Sequence, residues 1–205
     1  MGKSILFLLV LLLGSASIAD YVDCGSSTAS RSWVCQHSLD GVLHAVGDEY
    51  GGGTVFYIYD MVGAKGLHGL MVAKQELPAV QWDSSTRTNC GTKSDGIGIG
   101  RINTRIIIAN IPTANCVAAF NSATYTYTDE TSGVAYGGDW YLPAMQELIK
   151  LYEAFPEKFT SSCYWSSTED GVNNAKILLP GLNGKYIDGS AVKTASCGLY
   201  PIKAF

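Results

Sequence analysis

The chain has 205 residues and a formal net charge of −4, from 14 Lys and Arg against 18 Asp and Glu. No run of basic residues occurs after Lys3, which argues against a nucleic-acid partner. Glycine and tyrosine are abundant, with 23 and 12 residues, while only 16% of residues are charged. This composition is typical of a loop-rich, β-containing extracellular domain.

The first residues have the pattern of a secretory signal peptide. Lys3 supplies a positive charge, residues 5–13 form a nearly continuous apolar run, and Ser17 and Ala19 supply small residues for a signal peptidase. Because the apolar run is shorter than the roughly 20 residues that cross a bilayer, we expect cleavage after Ala19 and no membrane anchor afterwards. A lipid-anchored form is disfavoured, because Cys24 lies several residues beyond that site.

The predicted organisation is a signal peptide over residues 1–19, a lead-in segment over 20–46 and one domain over 47–205. The mature part is long enough to bury a hydrophobic core. We expect a secreted, periplasmic or cell-surface location.

All six cysteines follow the predicted signal peptide, and an even number in an exported chain favours disulfides. Proximity along the chain predicts the pairs Cys24–Cys35, Cys90–Cys116 and Cys163–Cys197. Zinc binding is disfavoured, because no two cysteines are spaced as CxxC and the histidines lie far from them in sequence.

The domain is predicted to begin with a β-hairpin. Residues 54–59 are β-branched and aromatic, and residues 69–73 form a second short apolar run across a glycine-bearing turn. His68 is interpreted as a residue of that turn, in preference to a ligand or catalytic residue.

A long polar loop and two helices are predicted next. Residues 81–100 form the loop, and its alternating glycines lack the order of a phosphate-binding motif. The helices are expected over 101–110 and 113–123, because Pro112 would break or kink a continuous helix.

Residues 121–138 are polar and end in glycine, which predicts a surface loop. Tyr125 and Tyr127 are two residues apart and would lie on one side of an extended segment. Tyrosines exposed in this way could stack on sugar rings, although ordinary strand-surface residues have the same pattern. Both residues are therefore candidates for ligand binding.

The segment DWYLPAMQELIKLY, residues 139–152, is predicted to anchor a helix. Pro143 suits the first helical position, because the N–H that proline lacks would be unpaired there. Glu147 complements the positive end of the helix dipole. The apolar residues recur at helical spacing, at Leu148, Leu151 and Tyr152.

Short strands are predicted for the rest of the chain. They cover 163–168 and 175–179, followed by a glycine-bearing hairpin turn and a closing strand at the C-terminus. Pro201 predicts that the closing strand lies at a sheet edge or a bulge.

The chemistry of an enzyme has little support. No GxSxG elbow is present, and all three histidines lie in the N-terminal part. A carboxylate pair for glycoside hydrolysis could come from Glu147, Glu169 and Asp170. Glu147 and Glu169 are better interpreted as a helix-start and a strand-end residue.

A calcium site is the one cofactor that the sequence suggests. Glu169 and the three residues Asp170, Asn173 and Asn174 place four oxygen ligands in one glycine-containing loop. The competing interpretation is a turn between two strands, closed by Asp and Asn side chains. We favour the turn.

Six segments, in order, resemble the Lcl C-terminal domain family, which is named for a bacterial collagen-like adhesin. They are GGTVFYIYD, GLHGLMVA, IGIGRINT, DWYLPAMQELIKLY, YWSSTE and the terminal IKAF. The match covers roughly residues 47–205, and DWYLP together with YWSSTE is its specific part. The chain has Lys203 where the family usually has an arginine, and it lacks the collagen-like Gly-X-Y repeat.

The resemblance implies a fold. It is an α+β, C-type-lectin-like domain in which two helices flank a small twisted antiparallel sheet and the last strand returns beside the first. The cysteines suggest a disulfide-stapled variant of it.

Three functions remain open. The first is a non-catalytic binding or adhesion module at the bacterial surface, with an extracellular glycan or protein as its partner. The second is a self-assembling structural subunit, which would form a homo-oligomer. The third is an enzyme on a scaffold similar to the formylglycine-generating enzymes or to a glycan hydrolase.

Overall fold

The structure is a computed structural model that describes residues 36–37, 43–59, 68–85 and 88–205. The predicted signal peptide, the Cys24–Cys35 bridge and most of the lead-in segment lie outside these residues. None of the helices within them is both long enough and apolar enough to cross a membrane.

The described chain forms a mixed α+β fold with three α-helices and thirteen short strands. The helices are α1 (Ile99–Asn110), α2 (Val117–Ala123) and α3 (Met145–Ala154). The strands are β1 (Gln36–His37), β2 (Leu43–His44), β3 (Glu49–Tyr50), β4 (Gly53–Tyr59), β5 (His68–Ala73), β6 (Leu77–Gln81), β7 (Tyr127–Thr128), β8 (Ala135–Tyr136), β9 (Tyr164–Glu169), β10 (Asn174–Pro180), β11 (Tyr186–Val192), β12 (Ser196–Leu199) and β13 (Ile202–Ala204).

The strands form two main sheets. One has five strands in the order β11-β10-β9-β12-β6, and the other has four in the order β13-β5-β4-β3. All neighbours are antiparallel except β9 and β12. Two small ribbons, β1–β2 and β7–β8, complete the described strands.

The predicted hairpin and helices are confirmed within a few residues. β4 and β5 pair as expected, and His68 begins β5 instead of lying in the turn. The structure has three helices and two main sheets, whereas the resemblance implied two helices and one sheet. The closing strand β13 pairs with β5 at the edge of its sheet, as Pro201 predicted.

Several short strands were not predicted, among them β6. β6 carries Pro78, which lacks the N–H of an interior strand residue. Because β6 is an edge strand that pairs only with β12 in the described chain, the proline is tolerated there.

The disulfide prediction is confirmed at one pair and wrong at another. Cys163 and Cys197 are bonded and join β9 to β12. Cys90 and Cys116 are free thiols, although both contact the apolar cluster around Trp82 and Trp165. Closeness along the chain does not set the direction of the two Cβ atoms, on which a disulfide depends.

The helix of the segment 139–152 begins at Met145, two residues after Pro143. Its predicted apolar residues Leu148, Leu151 and Tyr152 are all buried between the two main sheets. The segment before the helix is tied to β13, because Tyr141 and Ile202 exchange backbone hydrogen bonds of 2.9 and 3.0 Å.

Glu147 has a larger role than the predicted dipole contact. It is fully buried, and its carboxylate accepts the Ala144 N–H at 2.8 Å, the Gly98 N–H at 2.9 Å and the Tyr141 hydroxyl at 3.2 Å. The first bond caps α3, and the second holds the loop that leads into α1. Gly100 is required beside it, because an added Cβ would lie only 2.3 Å from Oε2 of Glu147.

We expect Glu147→Ala to lower the free energy of unfolding by on the order of 3 kcal/mol, because two buried N–H groups lose their acceptor. Glu153→Ala is the matched control in the same helix. Its carboxylate is exposed and bonds Lys150, so the loss should be about 0.5 kcal/mol or less. Chemical denaturation of both variants measures the difference, and equal losses would refute the role of Glu147.

Burial raises the pKa of Glu147, although its hydrogen bonds to Ala144, Gly98 and Tyr141 oppose the shift. The folded state therefore holds this proton more tightly than the unfolded chain. The stability difference between wild type and Glu147→Ala should grow as the pH falls through the folded-state pKa. A difference that shrinks on acidification would contradict this sign.

We also expect Trp140→Ala to destabilise the domain by about 3–5 kcal/mol, the range for a fully buried aromatic residue. Trp140 is 3% exposed and packs edge-on against Tyr125, with ring centroids 5.0 Å apart. Thermal and chemical unfolding measure the loss. If the variant keeps its stability but loses ligand binding, Trp140 belongs to a ligand-binding site and is not needed for the core.

Candidate functional site

The structure separates the two tyrosines that the sequence placed on one side of a loop. Tyr125 is only 9% exposed and packs on Trp140, so it is not the exposed residue that the sequence predicted. It follows directly after the end of α2 and turns inward, where burial raises its pKa.

Tyr127 does lie at the surface. It is half-buried in the β7–β8 ribbon and stacks on Tyr136, with centroids 6.5 Å apart and planes at 21°. Lys74, which forms an ion pair with Glu49, lies 5.9 Å from the Tyr127 ring. The prediction for Tyr127 is therefore compatible with the structure, with Tyr136 as its neighbour.

The predicted calcium ligands do not form the expected set. The Glu169 side chain is fully buried and accepts the backbone N–H groups of Cys90 and Thr92 at 3.0 and 2.9 Å. Asp170 and Asn173 are exposed, and an Asp170 N–H to Asn174 carbonyl bond of 2.9 Å closes the turn between β9 and β10. The described residues contain no group of three or more His, Cys, Asp or Glu side chains that could hold a metal.

Glu169 instead forms a buried ion pair with Lys193. The Lys193 Nζ lies 2.5 Å from Oε1 of Glu169, donates to the Thr88 carbonyl at 2.7 Å and lies 4.4 Å from the Trp82 ring. Both side chains of the pair are fully buried. The pair fixes the polar loop after β6 against the end of β9.

We expect Lys193→Met to cost about 3–5 kcal/mol, because it leaves the Glu169 carboxylate charged and unpaired in the interior. The matched control is Lys176→Met, which breaks the exposed 3.5 Å pair with Asp188 and should cost less than about 1 kcal/mol. Adding Glu169→Gln to Lys193→Met should restore part of the loss. Denaturant unfolding of the four proteins tests this, and equal single-variant losses would contradict it.

A second pair of tyrosines, absent from the predicted site, forms a better surface. β4 contains a bulge between Val55 and Tyr57, and Phe56, Tyr57 and Tyr59 all pack against the core beneath α3. Phe56 is buried, whereas Tyr57 and Tyr59 are half-buried. Their rings stack with centroids 5.8 Å apart and planes at 21°.

One charged side chain lies near the Tyr57 ring, and a second acts electrostatically on Tyr59. Lys150 of α3 has its Nζ 6.0 Å from the Tyr57 ring, and it also bonds Glu153 at 2.7 Å. Arg101, in the first turn of α1, is half-buried with its Cζ 5.8 Å from the Tyr141 ring. We call Tyr57, Tyr59, Arg101 and Lys150 the Tyr57–Tyr59 surface.

Two charged groups of opposite sign act on the Tyr59 hydroxyl. Burial raises the pKa of Tyr59, the Glu147 carboxylate raises it further, and Arg101 lowers it. The hydroxyl therefore stays protonated at neutral pH and can donate as well as accept a hydrogen bond. Arg101 adds donors in a planar array, which suits oxygen acceptors.

Two of the three carboxylates proposed for catalysis are engaged inside the core. Glu147 and Glu169 are saturated by backbone N–H groups and partners inside the core. Burial raises the pKa of the Cys90 thiol to about 11, and it also raises that of Cys116. A thiol in this state is a weak nucleophile at neutral pH, because the thiolate is the reactive form.

Neither a family model nor a curated protein matches the chain. Among solved structures, a fimbrial protein from Bacteroides ovatus aligns with a TM-score of 0.47 and 16% sequence identity. The alignment covers 82% of this chain and 48% of that one, so the chain spans about half the length of that protein. A similarity at this level carries no argument about function.

The sequence held a signal for the Tyr57–Tyr59 surface. Tyr57 and Tyr59 alternate in TVFYIY as Tyr125 and Tyr127 do in their loop. In a strand that pattern places both rings on one face. Both rings belong to the last three residues of β4, which are half-buried. Arg101 and Lys150 have no such signal, because they reach the surface from two helices distant in sequence.

Proposed function

We propose that the protein is an exported, non-catalytic binding module that recognises a glycan through the Tyr57–Tyr59 surface. The observation that carries the proposal is the stacked, half-buried pair of tyrosine rings, with Lys150 6.0 Å from one ring and Arg101 acting electrostatically on the Tyr59 hydroxyl. Aromatic rings of this kind pack against apolar faces while their polar tips stay hydrated. A sugar ring offers both an apolar face and hydroxyl groups.

The sequence supports export and the choice of fold family. The signal-peptide pattern over residues 1–19 and the disulfide between Cys163 and Cys197 fit an oxidising compartment. Within this proposal, the segments DWYLP and YWSSTE make the domain a C-type-lectin-like relative of the Lcl C-terminal domain family. The location is then the periplasm, the cell surface or the medium.

The proposed role is non-catalytic because of the environment of the carboxylates and thiols that could act in catalysis. The buried carboxylates of Glu147 and Glu169 cap and pair other groups, and burial raises the pKa of both free thiols among the described residues. An enzyme would need an acid, base or nucleophile that faces the ligand. The tyrosine hydroxyls of the surface supply hydrogen bonds instead.

Glycan-array binding of the mature chain tests the proposal. Tyr57→Ala and Tyr59→Ala should each weaken binding about fivefold, since a ring contact contributes on the order of 1 kcal/mol. Tyr127→Ala is the matched control, because it removes a half-buried, stacked tyrosine from the other surface. Thermal unfolding of each variant separates lost binding from lost folding.

The same array distinguishes the remaining alternatives. We expect a chelator to leave binding unchanged, because the Glu169 carboxylate is already paired with Lys193. Binding that survives Tyr57→Ala and Tyr59→Ala but is lost in Tyr127→Ala would move the site to the β7–β8 ribbon. If the chain binds a surface protein but no glycan, the proposal that its ligand is a glycan is refuted.

A further inference from the structure

The five-stranded sheet ends in an unprotected edge strand. β11 has seven residues, pairs with β10 on one side and has no strand beside its other side among the described residues. Its sequence YIDGSAV contains neither proline nor lysine, which are common devices that keep sheet edges from pairing. Ile187 and Val192 are 61% and 48% exposed.

The other edges of the two main sheets carry such devices. β6 contains Pro78, β13 has three residues and contains Lys203, and β3 has only two residues. β11 is therefore the edge at which a full row of backbone N–H and C=O groups can accept another strand.

We propose that this edge pairs with the β11 strand of a second copy of the chain. The two strands would run antiparallel about a two-fold axis and join two five-stranded sheets into one. A two-fold dimer uses the same surface on both copies. The β11 strand must therefore be complementary to an antiparallel copy of itself, and the pairs of residues that face each other show whether it is.

In a two-fold antiparallel pair of strands, the residue on the axis lies opposite the same residue of the second copy. Gly189 is the middle residue of β11, Tyr186–Val192. With the axis there, all seven residues overlap. Ile187 then faces Ala191 of the second copy, and Tyr186 faces Val192. These are apolar cross-strand pairs, and each occurs twice by symmetry.

The polar residues also fit this register. Asp188 faces Ser190 of the second copy, and its charge is already paired with Lys176 at 3.5 Å in its own subunit. An axis at Asp188 would instead place two carboxylates opposite each other. An axis at Ser190 would place Ile187 opposite Lys193, whose amine is buried against Glu169. Gly189 is therefore the favoured centre.

Sedimentation of the purified mature chain over a wide range of concentration is the first test, with a concentration-dependent dimer as the expected result. Val192→Lys should weaken the self-association about tenfold, because two apolar pairs are lost at once. Val172→Lys is the matched control, since Val172 is 49% exposed and lies outside β11. It should leave the dimer unchanged, and thermal unfolding checks that both variants fold.

Cross-linking tests the register. Gly189→Cys should form a disulfide between the two introduced thiols on mild oxidation, identified by mass spectrometry of the linked peptide. The new side chain fits, because a Cβ at Gly189 would meet its closest neighbour, Leu179, at 3.4 Å. Thr131→Cys, exposed in the turn between β7 and β8, should not link.

Two results would overturn the proposal. One is a monomer at every concentration together with no link through Gly189→Cys. The other is a dimer that Val192→Lys leaves unchanged, because its interface would then lie elsewhere. Neither result bears on glycan recognition, since the Tyr57–Tyr59 surface shares no residue with β11.

Discussion

The fold depends on one buried carboxylate that joins the entries of two helices. Glu147 caps α3 through the Ala144 N–H, holds the entry to α1 through the Gly98 N–H and receives the Tyr141 hydroxyl. Tyr141 is in turn bridged to β13. Without an acceptor at this point, the two helix entries would each bury an unpaired N–H group, which folded proteins rarely tolerate.

The same arrangement positions the proposed binding surface. Because α3 packs on β4 and α1 begins beside Glu147, Lys150 lies 6.0 Å from the Tyr57 ring and Arg101 acts electrostatically on the Tyr59 hydroxyl. The buried Lys193–Glu169 pair acts similarly at the end of β9, where it fixes the loop after β6. Recognition and assembly would then use different parts of the fold, the end of β4 and the free edge of β11.

Local patterns predicted the elements well but not their partners. The hairpin β4–β5, the helices on either side of Pro112 and the helix after Pro143 follow from residue spacing and from proline, which act over a few residues. Tyr125 is buried although the sequence predicted an exposed ring. Side chains point to alternate faces only in a strand, whereas the chain has just left α2 at this point and the Tyr125 ring packs on Trp140. The predicted Cys90–Cys116 disulfide depended only on closeness along the chain, and this closeness does not specify how two side chains are oriented.

By itself the sequence determined the alternation of Tyr57 and Tyr59, the edge position that Pro201 imposes and the apolar face of α3, since each depends on neighbouring residues. Only the tertiary structure decided what the charged residues do. Glu147 and Glu169 have the same side chain and similar sequence interpretations, yet one caps helices and the other pairs with Lys193. Their partners lie between 3 and 79 residues away along the chain, and burial makes those distant contacts strong because water no longer competes for them.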